Sequence, residues 1–153
     1  MIQRKQSLWL LLAALLNAGV FYFDLYQMHT TVHSTVNGVD TAKDTVGQIR
    51  VSEHFPILLI AILMTLLPVV TIFLFKKRKR QITISLASIL AIISFIAVLL
   101  FYVNSLASSP IPPVTGNYWI GAVLPVISLV FIIMAISGIR RDEKLVKSVD
   151  RLR

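Results

Sequence analysis

The sequence predicts a membrane all-α fold: a four-transmembrane-helix bundle with a small extracytoplasmic β-hairpin between helices 1 and 2 and a cytoplasmic amphipathic C-terminal helix. Three observations predict it. Of 153 residues, 56% are hydrophobic and 14% charged, whereas soluble domains average roughly 45–50% apolar and about 25% charged. Four stretches, residues 7–23, 56–75, 82–103 and 118–139, are apolar and contain no charged side chain. Thirteen of the fifteen Lys and Arg residues fall before the first stretch, between the second and third, or after the fourth; in a four-span chain these positions share one side.

A span needs about 20 mainly apolar residues, at about 1.5 Å rise each, to cross some 30 Å of hydrocarbon. Lipid offers the backbone no hydrogen-bond partner, so each span must be helical. In the first stretch, Arg4 and Lys5 ahead of an apolar run also resemble the start of a signal peptide. No convincing small-x-small cleavage pattern surrounds Asn17, Ala18 and Gly19, and the run continues to Phe23, so a retained helix is expected. Ala14 and Ala18 form its small face, with Asn17 as an interhelical hydrogen-bonder.

The connection that follows, residues 24–55, is rich in Thr and Val, with Asn37-Gly38 between two alternating runs. Asn-Gly tolerates the positive φ of a tight hairpin turn. A hairpin over about residues 30–46 is expected, with a third strand near residues 49–52. Helices 2 and 3 are joined by "KKRKRQ", which carries Lys76, Lys77, Arg78, Lys79 and Arg80. So short a link makes the two helices neighbours. Its charges read as an anchor against an anionic inner leaflet, at about 1 kcal/mol each, rather than as a nucleic-acid patch.

Helix 3 presents Ala87, Ala91 and Ser94 at helical spacing, and helix 4 presents Gly121, Pro125, Ser128 and Ala135; such small residues let membrane helices approach. Between these helices, "NSLASSPIPPVTGN" has three prolines and no charge and is expected to be an extended cover without regular structure. Pro68 and Pro125 each remove a backbone donor inside a helix. A transporter uses such breaks to bind substrate, but an ordinary kink is the preferred reading. After helix 4 and the basic Arg140 and Arg141, apolar residues fall at Leu145, Val146, Val149 and Leu152, with basic residues between them. That spacing makes an amphipathic helix, either continuing helix 4 or lying on the inner leaflet.

Tyr22, Tyr26, Tyr102 and Tyr118 all fall at the expected outer ends, where aromatic belts form. The Lys and Arg bias sets the orientation, so both termini, on the basic side, are expected in the cytoplasm. There is no cysteine, which excludes disulfides and thiolate chemistry. His29, His33 and His54 share the outer side; a solvated position is preferred over a zinc or copper site, because in a strand four residues place two ligands too far apart. No ionisable residue lies deep in a span, which argues against a coupled ion pathway. No nucleophile elbow, paired carboxylates or phosphate loop appears. No enzyme activity, cofactor or metal is expected.

The segments "MIQRKQSLWLLLAA", "FKKRKRQI" and "GAVLPVISLVFIIMAISGIRRDEKLVKSVDRLR" together resemble the uncharacterised four-span proteins of the Bacteroidota grouped as domain of unknown function 4293. The resemblance covers the whole chain and is most specific at residues 1–4 and 139–153. It implies a multi-pass protein of the bacterial inner membrane and carries no activity or site residues. The function expected is a non-enzymatic accessory, assembly or tethering factor of a membrane or envelope complex, the alternative being a small oligomeric transporter or channel. The expected partners are an anionic inner leaflet and a protein, with homo-oligomerisation left open and nucleic acid disfavoured.

Overall fold

The computed structural model describes residues 3–36, 39–74, 77–107 and 115–150. In chain order these form α1 (Gln3–Gly19), β1 (Tyr26–Val36), β2 (Val39–Ile49), a short 3-10 turn (Val51–Glu53), α2 (Phe55–Phe73), α3 (Arg78–Ala107), β3 (Thr115–Tyr118) and α4 (Ile120–Asp150). The described residues are mostly helical, with one small sheet.

The helices pack through one repeated spacing. Buried seam residues include Gln6, Leu10, Ala13 and Asn17 along α1, with Val20 just past its end, and Ile57, Ala61, Met64, Pro68 and Thr71 along α2. Along α3 they include Gln81, Ser85, Ser88, Ile92, Phe95 and Leu99, and along α4 Gly121, Pro125, Ser128, Ile132, Ala135, Ile139 and Asp142. Steps of four and three alternate in every helix, the heptad pattern that keeps one seam facing a partner. α1 packs against α2 and α4, and α3 against the same two, closing an antiparallel ring. Many seam residues are Ala or Ser, small enough for close backbone approach.

The outward faces are as apolar as the seam. Leu59, Leu66, Leu90, Val123 and Val130 are each about half exposed, and around a soluble bundle such a belt would be an aggregation surface. Three helical segments, Phe55–Phe73, Arg78–Leu106 and Ile120–Leu145, are long and apolar enough to cross a membrane.

The first helix departs from expectation. Its apolar part, Gln6–Gly19, is shorter than those three, because the chain leaves the helix four residues before Phe23. Tyr22 and Phe23 donate to the Gly19 carbonyl at 3.0 and 3.2 Å, and Leu25 then bonds Ile49 at 2.9 Å to start the sheet. The aromatic run that reads as helix is a turn. α3 is longer than expected at both ends, since Arg, Lys and Gln are good helix formers; Arg78, Lys79 and Arg80 therefore lie in the helix and not in a link. α4 continues unbroken past Ile139 to Asp150, so in the described residues the tail extends the helix and does not bend away.

The sheet order is β2-β1-β3. β1 and β2 pair over their full length, from Tyr26 with Ile49 to Val36 with Val39. The hairpin is longer than the 30–46 expected, and Asn37-Gly38 lies outside the described residues. The third strand is β3, on the far side of β1, pairing Tyr26 with Tyr118 through His29 with Thr115. The stretch expected as a strand after Ile49 is instead the 3-10 turn, and part of the loop expected to be irregular is β3 or the end of α3. Gly116 permits the pairing: a Cβ there would overlap the Gln27 carbonyl and the Tyr26 ring.

Of the small residues expected to pack, Ala14, Ala91, Gly121, Pro125 and Ser128 are buried, while Ala18 and Ala87 are half-buried at the seam margin. Ser94 is exposed, because the heptad of α3 runs through Ile92 and Phe95.

Candidate functional site at the basic end of the bundle

At the end of the bundle opposite the sheet, the four seams finish on polar residues: Gln6, Thr71, Gln81 and Asp142, all buried. The Gln6 amide donates to the Asp142 carboxylate at 2.5 Å, tying α1 to α4. Gly138 gives room for that contact, since a Cβ there would lie 2.9 Å from Gln6 Cγ. Arg78 donates to the Asp142 backbone carbonyl at 3.0 Å, tying α3 to α4. Gln81 donates to the Thr71 carbonyl at 3.3 Å; that carbonyl lies in the last turn of α2, where it also accepts the Leu74 N–H at 3.2 Å. These bonds link all four helix ends in one polar layer.

A fourth tie lies deeper. Pro68 has no N–H, so the Met64 carbonyl one turn earlier loses its helical partner. Asn17 Nδ2 of α1 donates to it at 3.0 Å. The kink is thus sealed by a neighbouring helix, and Asn17 acts as the hydrogen-bonder its sequence position suggests. Asn17 Oδ1 and Ser85 Oγ are buried without a hydrogen-bond partner among the described residues.

Beside the polar layer, α1 and α4 leave a cleft of about 380 Å³. Trp9, Ile133 and Met134 supply its apolar lining, and Gln6, Ser137, Arg141 and Asp142 its polar lining. The Trp9 ring stacks on Phe131 of α4 with centroids 5.5 Å apart.

The structure separates the basic residues named from the sequence. Lys77, Lys79, Arg80, Arg140 and Arg141 are exposed, while Arg78 is half-buried and turned to Asp142. Leu145 is 52% exposed; Lys76, Leu152 and the Val149 side chain lie outside the described residues. Sequence reasoning missed Gln6, Gln81 and Asp142, whose polarity reads as surface. The signal was the heptad itself: stepping three from Ile139 lands on Asp142, and stepping back four from Leu10 lands on Gln6.

At the sheet end, Arg50 Nε donates to Asp24 Oδ1 at 2.7 Å, and this hydrogen bond raises the guanidinium above its ordinary value. Burial of Leu25, Tyr26, Ile49 and Val51 joins the sheet base to the helical core. The His54 ring lies 4.2 Å from that of Tyr102, and among the described residues no three His, Asp or Glu side chains come together as a metal site would need.

A family model described as "Domain of unknown function (DUF4293)" matches residues 2–152. No curated protein and no solved structure matches the chain.

Proposed function

We propose that this chain, which belongs to the family of the domain of unknown function DUF4293, is a four-span membrane adaptor. It docks protein partners through the projecting hairpin on one side and the basic end of α4 on the other. The reading is non-enzymatic. The observation that carries it is the continuity of α4. Its start is fixed to the segment that leads into β1, with the Gly121 N–H on the Asp24 carbonyl at 3.1 Å and the N–H of Trp119, just ahead of α4, on the Leu25 carbonyl at 3.0 Å. The same helix passes the polar layer at Asp142 and runs on to Asp150. At about 1.5 Å per residue, its 31 residues make one rod that connects the two faces.

In this reading α1 completes the fourth span with the help of its terminal turn, whose exposed Phe21, Tyr22 and Phe23 suit the interface between lipid and water. The basic end faces the cytoplasm of a bacterial cell, by the bias of Lys and Arg. Beyond the four residues paired by β3, the β1–β2 ribbon has two open edges among the described residues, a surface suited to strand addition. Against the transport alternative stands the sealed kink, since the carbonyl that Pro68 frees is taken by Asn17.

The test is crosslinking of a tagged chain in native membranes, read by mass spectrometry, alongside a chain ending at Ile139 and one lacking residues 32–44. Each truncation is expected to lose a different partner. An identical crosslink pattern from all three chains would overturn the adaptor reading, and proteoliposome flux abolished by Pro68→Ala would favour transport.

A further inference from the structure

We propose that the cleft between α1 and α4 is a headgroup site for a zwitterionic aminophospholipid, with the phosphate on Arg141 and the primary ammonium on Asp142. The inference rests on the membrane placement of α4 given above and is independent of any docking partner. The cleft's volume, about 380 Å³, falls in the range of roughly 300–1,000 Å³ typical of ligand clefts.

Ile133, Ser137 and Arg141 follow one another along the exposed face of α4 at intervals of one helical turn, about 6 Å per step. Moving toward the basic end, the wall changes from apolar to hydroxyl to cation. A phospholipid in the adjoining leaflet presents the same succession: acyl chain, ester, phosphate. Trp9, held against Phe131, adds the aromatic side chain that favours this depth.

The carboxylate is what selects the headgroup. Asp142 lines the cleft while buried, and one of its oxygens takes the Gln6 amide. An ionised carboxylate has about four acceptor positions, which leaves capacity for another donor. A primary ammonium supplies N–H donors there; a trimethylammonium has none, and a glycerol headgroup brings no positive charge. The exposed Lys77, Lys79 and Arg80 attract any anionic lipid diffusely. Discrimination between headgroups, rather than a preference for anionic lipid, is therefore the mark of this site.

The experiment is native mass spectrometry of the detergent-purified full chain, given phosphatidylethanolamine, phosphatidylcholine and phosphatidylglycerol with identical acyl chains. Phosphatidylethanolamine should be retained about tenfold over phosphatidylcholine, the fold-change of one charge-assisted hydrogen bond. Ser137→Trp, at an exposed position, should fill the cleft and remove this retention without lowering the melting temperature. Asp142→Asn should abolish the preference over phosphatidylcholine; if that variant does not fold, Ser137→Trp decides. Equal retention of the three lipids, retention unaffected by Ser137→Trp, or equally strong competition by water-soluble glycerophosphoethanolamine would overturn the assignment. Crosslinking partners do not report on the cleft, so a failure here and a failure of the adaptor reading are distinguishable.

Discussion

Asn17 and Pro68 are separated by some fifty residues yet solve one local problem, a carbonyl without a donor inside an apolar bundle. Interhelical hydrogen bonds in membranes average about 0.6 kcal/mol and reach about 1.7 kcal/mol. Asn17→Leu should cost about that much in denaturant titration of the detergent-solubilised chain. In a Pro68→Ala background the cost should shrink, because alanine brings its own N–H to the helix; an undiminished cost would show that the Asn17 bond does not replace the missing helical one. Gly121 poses a different constraint. A Cβ there would lie 2.5 Å from the Asp24 carbonyl oxygen, a backbone atom that cannot rotate away. Gly121→Ala should destabilise the chain by about 1–3 kcal/mol, the usual cost of overpacking, read in the same titration.

At the scale of elements, the polar layer is where the helices are held in register. Removing one partner of a buried hydrogen bond leaves the other unsatisfied, at about 1–3 kcal/mol. Asp142→Ala and Gln6→Ala should each destabilise, and the double variant should cost clearly less than the two together; additive costs would mean the two side chains act independently. The β1–β2 ribbon is held unevenly. Residues Tyr26 to His29 pair on both edges, whereas the rest of β1 pairs with β2 alone, and isolated two-stranded ribbons are marginal in water. Amide exchange should therefore be slow in the first four residues of β1 and much faster beyond them, a gradient that uniform protection would contradict.

For the whole molecule, the prediction concerns sidedness. A cysteine placed at Asn37 should label from outside intact cells, and one at Lys79 only after permeabilisation; the reverse pattern would invert the arrangement. The positive charge behind the net +8 then lies on one face, the opposite face being slightly acidic, and by the positive-inside rule it would set orientation more than affinity for any soluble polyanion. The helices and the hairpin were legible in the sequence because both rest on short-range signals: hydrophobic runs, and an Asn-Gly between alternating residues. Helix ends were less legible. Phe21, Tyr22 and Phe23 are as apolar as any span residue and still form a turn, since Leu25 must be free to meet Ile49.

By itself the sequence determined the membrane-compatible helices, the existence of the hairpin and the asymmetric placement of charge, all of which follow from what each segment contains. Only the tertiary structure decided which residues face inward, because in these helices both faces are apolar and hydrophobicity does not distinguish lipid from core. The heptad seams, β3 on β1, the Asn17 bond to the Met64 carbonyl and the burial of Asp142 beside Gln6 all depend on partners far away in the chain. Composition reports a segment's own solvent preference; the pairing of polar atoms across helices is a property of the assembled bundle.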